Sequence, residues 1–350
     1  MINRIINYIR KNNPLLYFRL IAISDEVKSS KSAIHIFDNC GGSFKDYIAG
    51  EDMAKRLEAL KSGLDDYSCT TIDILFKRLQ NYPEHRYGVK VTPSRDNIVG
   101  GLLNEEKPEL AGRARTRLKQ VAREIKFPVS HMDPSVFYFD HGLTYLPGNV
   151  TASLKGKDFI DLGAYFGDSA LTLLKYNYRK IFSVEFSPKA IENYKTFMKL
   201  NKVDSARYQI IPVAMAASDK AEPIFLKKND YTLYSEQICK EEDAQIKVER
   251  RSLDSLVNEF AIEPKLIKAD IEGFALECMK GASQTLKKFR PVLSLAIYHN
   301  PQEFFETKPY LEGLLDNYAF MIRKMATSPF GLRSTGETIL LAYPDEMVNN

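Results

Sequence analysis

From about residue 157 to residue 315, short apolar runs alternate with helical patterns, and this alternation restricts the fold more than any other feature of the chain. DFIDL is followed by a helix expected over about 168–175, and KIFSVE by one over about 188–200. YQIIPVAM reads as the next strand, KLIKAD precedes a helical stretch over about 275–288, and PVLSLAIY precedes another over about 301–315. Strand–helix alternation of this kind calls for a parallel sheet with helices on both faces. Two last strands, near 317–324 and 337–343, have only a Pro/Gly/Ser loop between them, so they are expected to pair antiparallel at the sheet edge.

Upstream the character differs. The first 135 residues or so read mainly as helices, an accessory region set before a domain over 136–350. Met53, Leu57 and Leu60 make one stripe. Ile72, Leu75, Phe76 and Leu79 make another, with Thr70 and Thr71 as cap candidates and Pro83 as its stop. Leu110, Ala114, Leu118, Val121, Ala122 and Ile125 trace a 3.6-residue period, with Pro108 suited to the first turn. The same helix carries Arg113, Arg115, Arg117, Lys119, Arg123 and Lys126, either a solvated face or a docking face for an acidic partner or RNA. VFYFDHGLTYLP alternates around Gly142 and is expected to form an entry hairpin within 136–154.

Ligands of open α/β sheets sit beyond the carboxyl ends of the strands. The first strand ends at Asp161-Leu162, and Gly163 and Gly167 follow four residues apart. The second ends at Val184-Glu185, placing an acidic residue 24 positions after Asp161, where it suits a ribose diol. A dinucleotide loop needs G-x-G-x-x-G to make room for a pyrophosphate. Here Tyr165 and Phe166 stand between the glycines. That spacing suits instead the D/E-x-G-x-x-x-G loop that wraps the amino-acid part of S-adenosylmethionine (SAM).

Taken with IFSVEFSP, IPVAMAASD, RSLDSL, LIKADIEGFALECMKGASQTLKKFRPVLSLAIYHNP and GETILLAY, the loop KDFIDLGAYFGDSALTLLKY resembles the FkbM family of SAM-dependent methyltransferases over about residues 155–343. The resemblance implies a doubly wound, Rossmann-like class I methyltransferase sheet of seven strands with an antiparallel last hairpin. It also implies methyl transfer, commonly to a hydroxyl oxygen of a sugar, glycan or natural product. By position, Asp161, Gly163, Ala164 and Gly167 would hold the methionine part of SAM and Glu185 the ribose. Phe186 and Ser187 would flank the adenosine, and Val213 and Ala214 would wall the adenine. One departure is that Pro188 stands two places later than the proline that often follows the acidic residue in the family.

An alcohol acceptor must be aligned with the methyl–sulfur bond and lose its proton. Asp270 and Glu272 follow the fourth strand and His299 the fifth, and these three are the candidate catalytic groups; Asp270 would also face the methyl donor. His299 has the ordinary pKa of a base at neutral pH. Asp270 and Glu272 also suit a helix cap, and the three together permit a divalent ion without requiring one. His141, in the FDHG turn, is placed to face the cleft from the accessory side. The accessory region, the 136–147 hairpin and the loop Tyr231–Ser235 are expected to lid the acceptor.

Other function classes fit less well. The net charge of +4 is small for 350 residues and does not argue for nucleic acid. Cys40, Cys69, Cys239 and Cys278 form no CxxC pair, which suits free thiols, a reducing compartment and a cytoplasmic protein. No stretch approaches a membrane span, although Ile2, Ile5, Ile6 and Ile9 share one helix face, suited to docking or to a membrane surface. An NAD-linked oxidoreductase, an RNA or protein methyltransferase and a non-catalytic SAM- or carbohydrate-binding protein are the competing readings.

Overall fold

The computed structural model describes residues 34–37, 41–81, 89–92, 97–128, 131–228, 236–326, 331–333 and 335–348. The isoleucine stripe near the N-terminus and the loop Tyr231–Ser235 lie outside these. Seven strands form the central sheet: β1 (Asp158–Leu162), β2 (Lys180–Val184), β3 (Tyr208–Ile211), β4 (Pro264–Ala269), β5 (Val292–Ala296), β6 (Tyr318–Lys324) and β7 (Thr338–Pro344). Their order is β3-β2-β1-β4-β5-β7-β6. The first five are parallel, and β7 runs antiparallel to both β5 and β6. Every residue of β1, β5 and β7 is buried, as continuous apolar runs require of strands covered on both faces.

Among the described residues, the helices of six residues or more are α1 (Gly41–Ile48), α2 (Met53–Lys61), α3 (Asp66–Gln80), α4 (Pro108–Glu124), α5 (Asp168–Leu173), α6 (Pro188–Leu200), α7 (Leu253–Glu259), α8 (Ala275–Lys280), α9 (Ser283–Phe289) and α10 (Pro301–Leu314). Local chemistry starts them. Ser187 caps α6, its Oγ accepting from Ala190 N at 3.1 Å, and Pro188 occupies the first turn. Asn300 caps α10 with Pro301 behind it, and Pro108 opens α4. No helix among the described residues is long and apolar enough to cross a membrane.

Among the described residues the N-terminal region is mostly helical, and α1–α3 pack into the core of the sheet. Phe44, Leu60, Ile72 and Leu75 join one buried cluster with Phe304, Phe305 and Ile322. At the sheet edge α3 also covers β6, where Ser68 Oγ accepts the backbone N–H of Ile322 at 2.8 Å. A small three-stranded sheet, which the sequence patterning missed, joins Ile34–Phe37 to Val89–Thr92 and Gly331–Arg333.

Three local expectations are corrected. The stretch 136–147 is no hairpin: Asp133 caps a short helix, Pro134–Phe137, and a tight turn over Asp140–Tyr145 follows. Asp140, His141 and Gly142 all have positive φ there, at 52°, 54° and 85°. The alternation arises because Val136, Phe137, Phe139, Leu143 and Leu146 enter the core from successive turns. YQIIPVAM breaks at Pro212, whose missing N–H ends β3; Ala214–Met215 then pairs with Arg250–Arg251. The cap of α3 is Asp65, not Thr70 or Thr71; Thr71 is buried inside the helix and donates to Tyr67 O at 2.9 Å.

Candidate active site

The strand order reverses between β1 and β4, so their carboxyl ends open the crevice where such sheets bind ligands. Gly163 turns the chain out of β1 with φ 79°, and a Cβ there would overlap the carbonyl oxygen of Asp270. The backbone N–H of Asp270 donates to Leu162 O at 3.0 Å, so the ends of β1 and β4 lie side by side. Gly167, with φ 83°, answers a packing need: a Cβ would press on Tyr194 and the Met198 methyl at 2.9 and 2.8 Å. Ala164 is buried, and its N–H donates to Val184 O at 3.2 Å. The loop therefore has one shape, tied to both neighbouring strands.

Asp161 is completely buried, and Lys268 of β4 reaches it: Nζ lies 3.0 Å from Oδ1 and 2.9 Å from Gly163 O. Burial works against the charge of Lys268, but Asp161, Asp270 and Asp168 outweigh it and hold the ammonium protonated. Asp168, buried at the start of α5, is pushed up to about 7 by burial, with Lys268 opposing and Asp161 adding to the rise. His141 is buried as well, with Nε2 3.0 Å from Ser169 Oγ. Burial and the Lys268 charge drive it down to about 3, against the pull of Asp270, so it is neutral.

Glu185 ends β2 with both oxygens engaged: Tyr165 N donates to Oε2 at 2.9 Å and Ser187 N to Oε1 at 2.8 Å. Burial raises its pKa, and these backbone donors oppose the rise. A carboxylate offers about four lone-pair positions, so a group clamped this way keeps acceptor capacity for a diol. Phe186 packs against Ala214, Leu226 and Val248. Ser187 is the α6 cap, Val213 packs on the main core, and Ala214 is buried in the short strand after β3.

On the other side of the switch point, Asp270, Glu272 and His299 converge. His299 Nε2 lies 3.3 Å from Asp270 Oδ1 and 3.7 Å from Glu272 Oε2, and Nδ1 lies 3.3 Å from Glu303 Oε2. Burial opposes the imidazolium, but bonds to Asp270 and Glu303 and the nearby carboxylate charges raise His299 to about 10. Burial likewise opposes ionisation of Asp270, which His299 and Lys268 nevertheless hold at about 2. At neutral pH the pair is thus an imidazolium and a carboxylate, not the neutral base that the ordinary histidine pKa suggests. Glu272 has an exposed side chain and φ 52°. Among the described residues, no group of three or more His, Cys, Asp or Glu side chains is arranged to hold a metal ion.

Sequence reasoning passed over Lys268, Asp168 and Glu303. Lys268 left a trace, a cation inside the apolar run KLIKAD, which a doubly covered strand tolerates only with a partner. Glu303 left another: it stands four residues after His299, one helical turn away.

A model of the methyltransferase FkbM domain matches residues 161–327. The crystal structure of methyltransferase FkbM from Methylobacillus flagellatus KT superposes with a TM-score of 0.54 at 18% identity, covering 86% of this chain and 61% of that one. This chain thus spans under two thirds of that protein's length. An O-methyltransferase from Bacillus cereus in complex with SAH aligns over 68% of this chain and 91% of its own, at 10% identity and a TM-score of 0.38. No curated protein matches the chain significantly. Over residues 161–327 the chain is thus similar to the methyltransferase FkbM domain.

Proposed function

We propose that the chain is an S-adenosylmethionine-dependent O-methyltransferase acting on a hydroxyl of a sugar, glycan or natural-product small molecule. One observation carries the reading. A rigid glycine loop lies between a clamped carboxylate, Glu185, and a group of ionisable side chains, Asp270, Glu272 and His299, at the ends of adjacent strands. The donor set fits the cofactor: Glu185 suits a ribose diol, the Gly163–Gly167 loop suits the methionine part, and Val213, Ala214 and Phe186 supply apolar walls.

Bound there, SAM supplies a methyl carbon made electrophilic by its sulfonium. The acceptor oxygen forms the new bond to that carbon as the carbon–sulfur bond breaks, leaving S-adenosylhomocysteine. Asp270, Glu272 and His299 orient the acceptor hydroxyl, and the carboxylate of Asp270 or Glu272 receives its proton. We assign the acceptor side to residues 1–135 and the 136–154 segment, and the cofactor side to the rest of the domain over 136–350. We also expect the protein to work in a reducing cytoplasm, where Cys69 and the buried Cys278 remain thiols.

Thermal unfolding with S-adenosylhomocysteine and, in parallel, NAD tests the reading. Ligand at about 100 times its dissociation constant stabilises the folded state by roughly 2.7 kcal/mol, a readable shift. Stabilisation by S-adenosylhomocysteine alone supports the proposal and justifies a screen of sugars and glycosides as acceptors. Stabilisation by NAD alone overturns it.

A further inference from the structure

Beyond β5 the chain makes a bracket that the proposed reaction does not by itself explain. Glu303, in the first turn of α10, is 1% exposed. Its Oε1 accepts the backbone N–H of Ala275, at the start of α8, at 2.7 Å. Its Oε2 faces His299 Nδ1 at 3.3 Å. Asn300 closes the bracket: Oδ1 accepts Glu303 N at 2.8 Å, and Nδ2 donates to Gly273 O at 2.9 Å. The segment 270–275, which carries Asp270 and Glu272, is therefore fastened to α10 at Gly273 and at Ala275. His299 stands between the two carboxylates with one ring nitrogen toward each.

A neutral imidazole has one N–H and one lone pair, so it cannot donate to carboxylates on both sides at once. Two ionised carboxylates flanking the ring, one of them deep in the core, are both satisfied only by the doubly protonated form. The groups facing His299 are Asp270 and Glu272 from the segment after β4, Glu303 from α10, and the Tyr298 ring stacked on it at 4.1 Å. Three of the four bear carboxylates.

We propose that Glu303 is a positioning residue that keeps His299 charged and doubly hydrogen-bonded, so that His299 aims Asp270 at the acceptor instead of serving as the proton acceptor. The role rests on the methyltransferase reading above, but the charge state does not. Glu303 holds one ring nitrogen, and the other holds one oxygen of Asp270. The proton of the acceptor hydroxyl then passes to the Asp270 or Glu272 carboxylate, and the imidazolium offers no lone pair to compete for it. The direction of the His299 shift, well above an ordinary histidine, agrees with this arrangement.

The experiment is an NMR titration of the His299 ring in the full chain, assigned among five histidines with the variant His299→Asn. In the wild type the midpoint should lie near 10, and in Glu303→Gln it should fall by a unit or more. Glu303→Gln keeps an oxygen for Ala275 N, and its affinity for S-adenosylhomocysteine should stay within about threefold of wild type. Glu303→Asp, which restores the charge, should recover part of the midpoint. A wild-type midpoint near 6.5 overturns the proposal even if no variant folds. So does a Glu303→Gln midpoint equal to wild type. Absence of S-adenosylhomocysteine binding in the wild type would instead remove the methyltransferase reading, and with it the role of aiming Asp270, while leaving the charge relation of Glu303 and His299 to be decided by the titration.

Discussion

Lys268 Nζ lies 3.0 Å from Asp161 Oδ1 where β4 and β1 run side by side, and the two side chains are 5% and 0% exposed. The same ammonium donates to the carbonyl of Gly163, so one buried cation ties the end of β1 to the loop that follows. Removing one partner of such a pair strands a buried charge. Lys268→Met should cost about 3–5 kcal/mol in urea unfolding, whereas the double variant Lys268→Met, Asp161→Leu should cost clearly less than the two single changes summed. Additive losses would mean that the two groups act independently.

Stability should fall on both sides of neutrality, for separate reasons. His299 is raised to about 10 in the folded state against about 6.5 unfolded, so its contribution is complete below pH 6.5 and disappears as pH climbs towards 10. His141 is depressed to about 3, so the unfolded chain takes up a proton first, and stability declines as pH drops from about 6.5 to 3. Each slope is at most about 1.4 kcal/mol per pH unit. Unfolding midpoints across pH should show His299→Gln losing the alkaline slope and His141→Asn the acid one. Retention of both slopes in both variants would refute the assignment.

Asp270→Asn and His299→Ala should leave the affinity for S-adenosylhomocysteine nearly unchanged and lower methyl transfer by about tenfold or more. Neither side chain belongs to the Glu185 side of the crevice, where ligand binding is expected. Near-wild-type turnover in both variants would end the proposed chemistry.

Glu185→Gln weakens both the loop clamp and the proposed ribose contact. Its oxygens accept from Tyr165 N and Ser187 N, and an amide oxygen replaces only one of them. Losing a hydrogen bond to a charged group costs about 1.5–3 kcal/mol, so calorimetry should find S-adenosylhomocysteine affinity reduced by roughly ten- to a hundredfold. Unaltered affinity would place the ribose elsewhere.

Deleting residues 1–81 should prevent cooperative folding of the remainder. Phe44, Leu60, Ile72 and Leu75 would leave Phe304, Phe305 and Ile322 uncovered, and each buried side chain of this size is worth about 2–5 kcal/mol. A truncated chain that melts sharply near the wild-type temperature would show that the N-terminal helices are dispensable for the fold.

The sheet was legible in the residues because its signals are local. Short strands rich in apolar residues, such as DFIDL and VLSLA, suit burial between two layers, and Ser187-Pro188 and Asn300-Pro301 carry their own helix starts. Gly163 and Glu185 were legible for the same reason, since strand ends and tight turns announce themselves within a few residues. The 136–147 stretch was misread because alternating burial does not distinguish a strand from short turns that present aromatic groups to one core. What the tertiary structure alone decided is charge. Whether His299 is a base or a cation depends on Asp270 and Glu303, which arrive from different elements. Whether Lys268 is tolerated depends on Asp161, 107 residues away. Electrostatic energy is set by distance and burial in space, and neither is written in the spacing of residues along the chain.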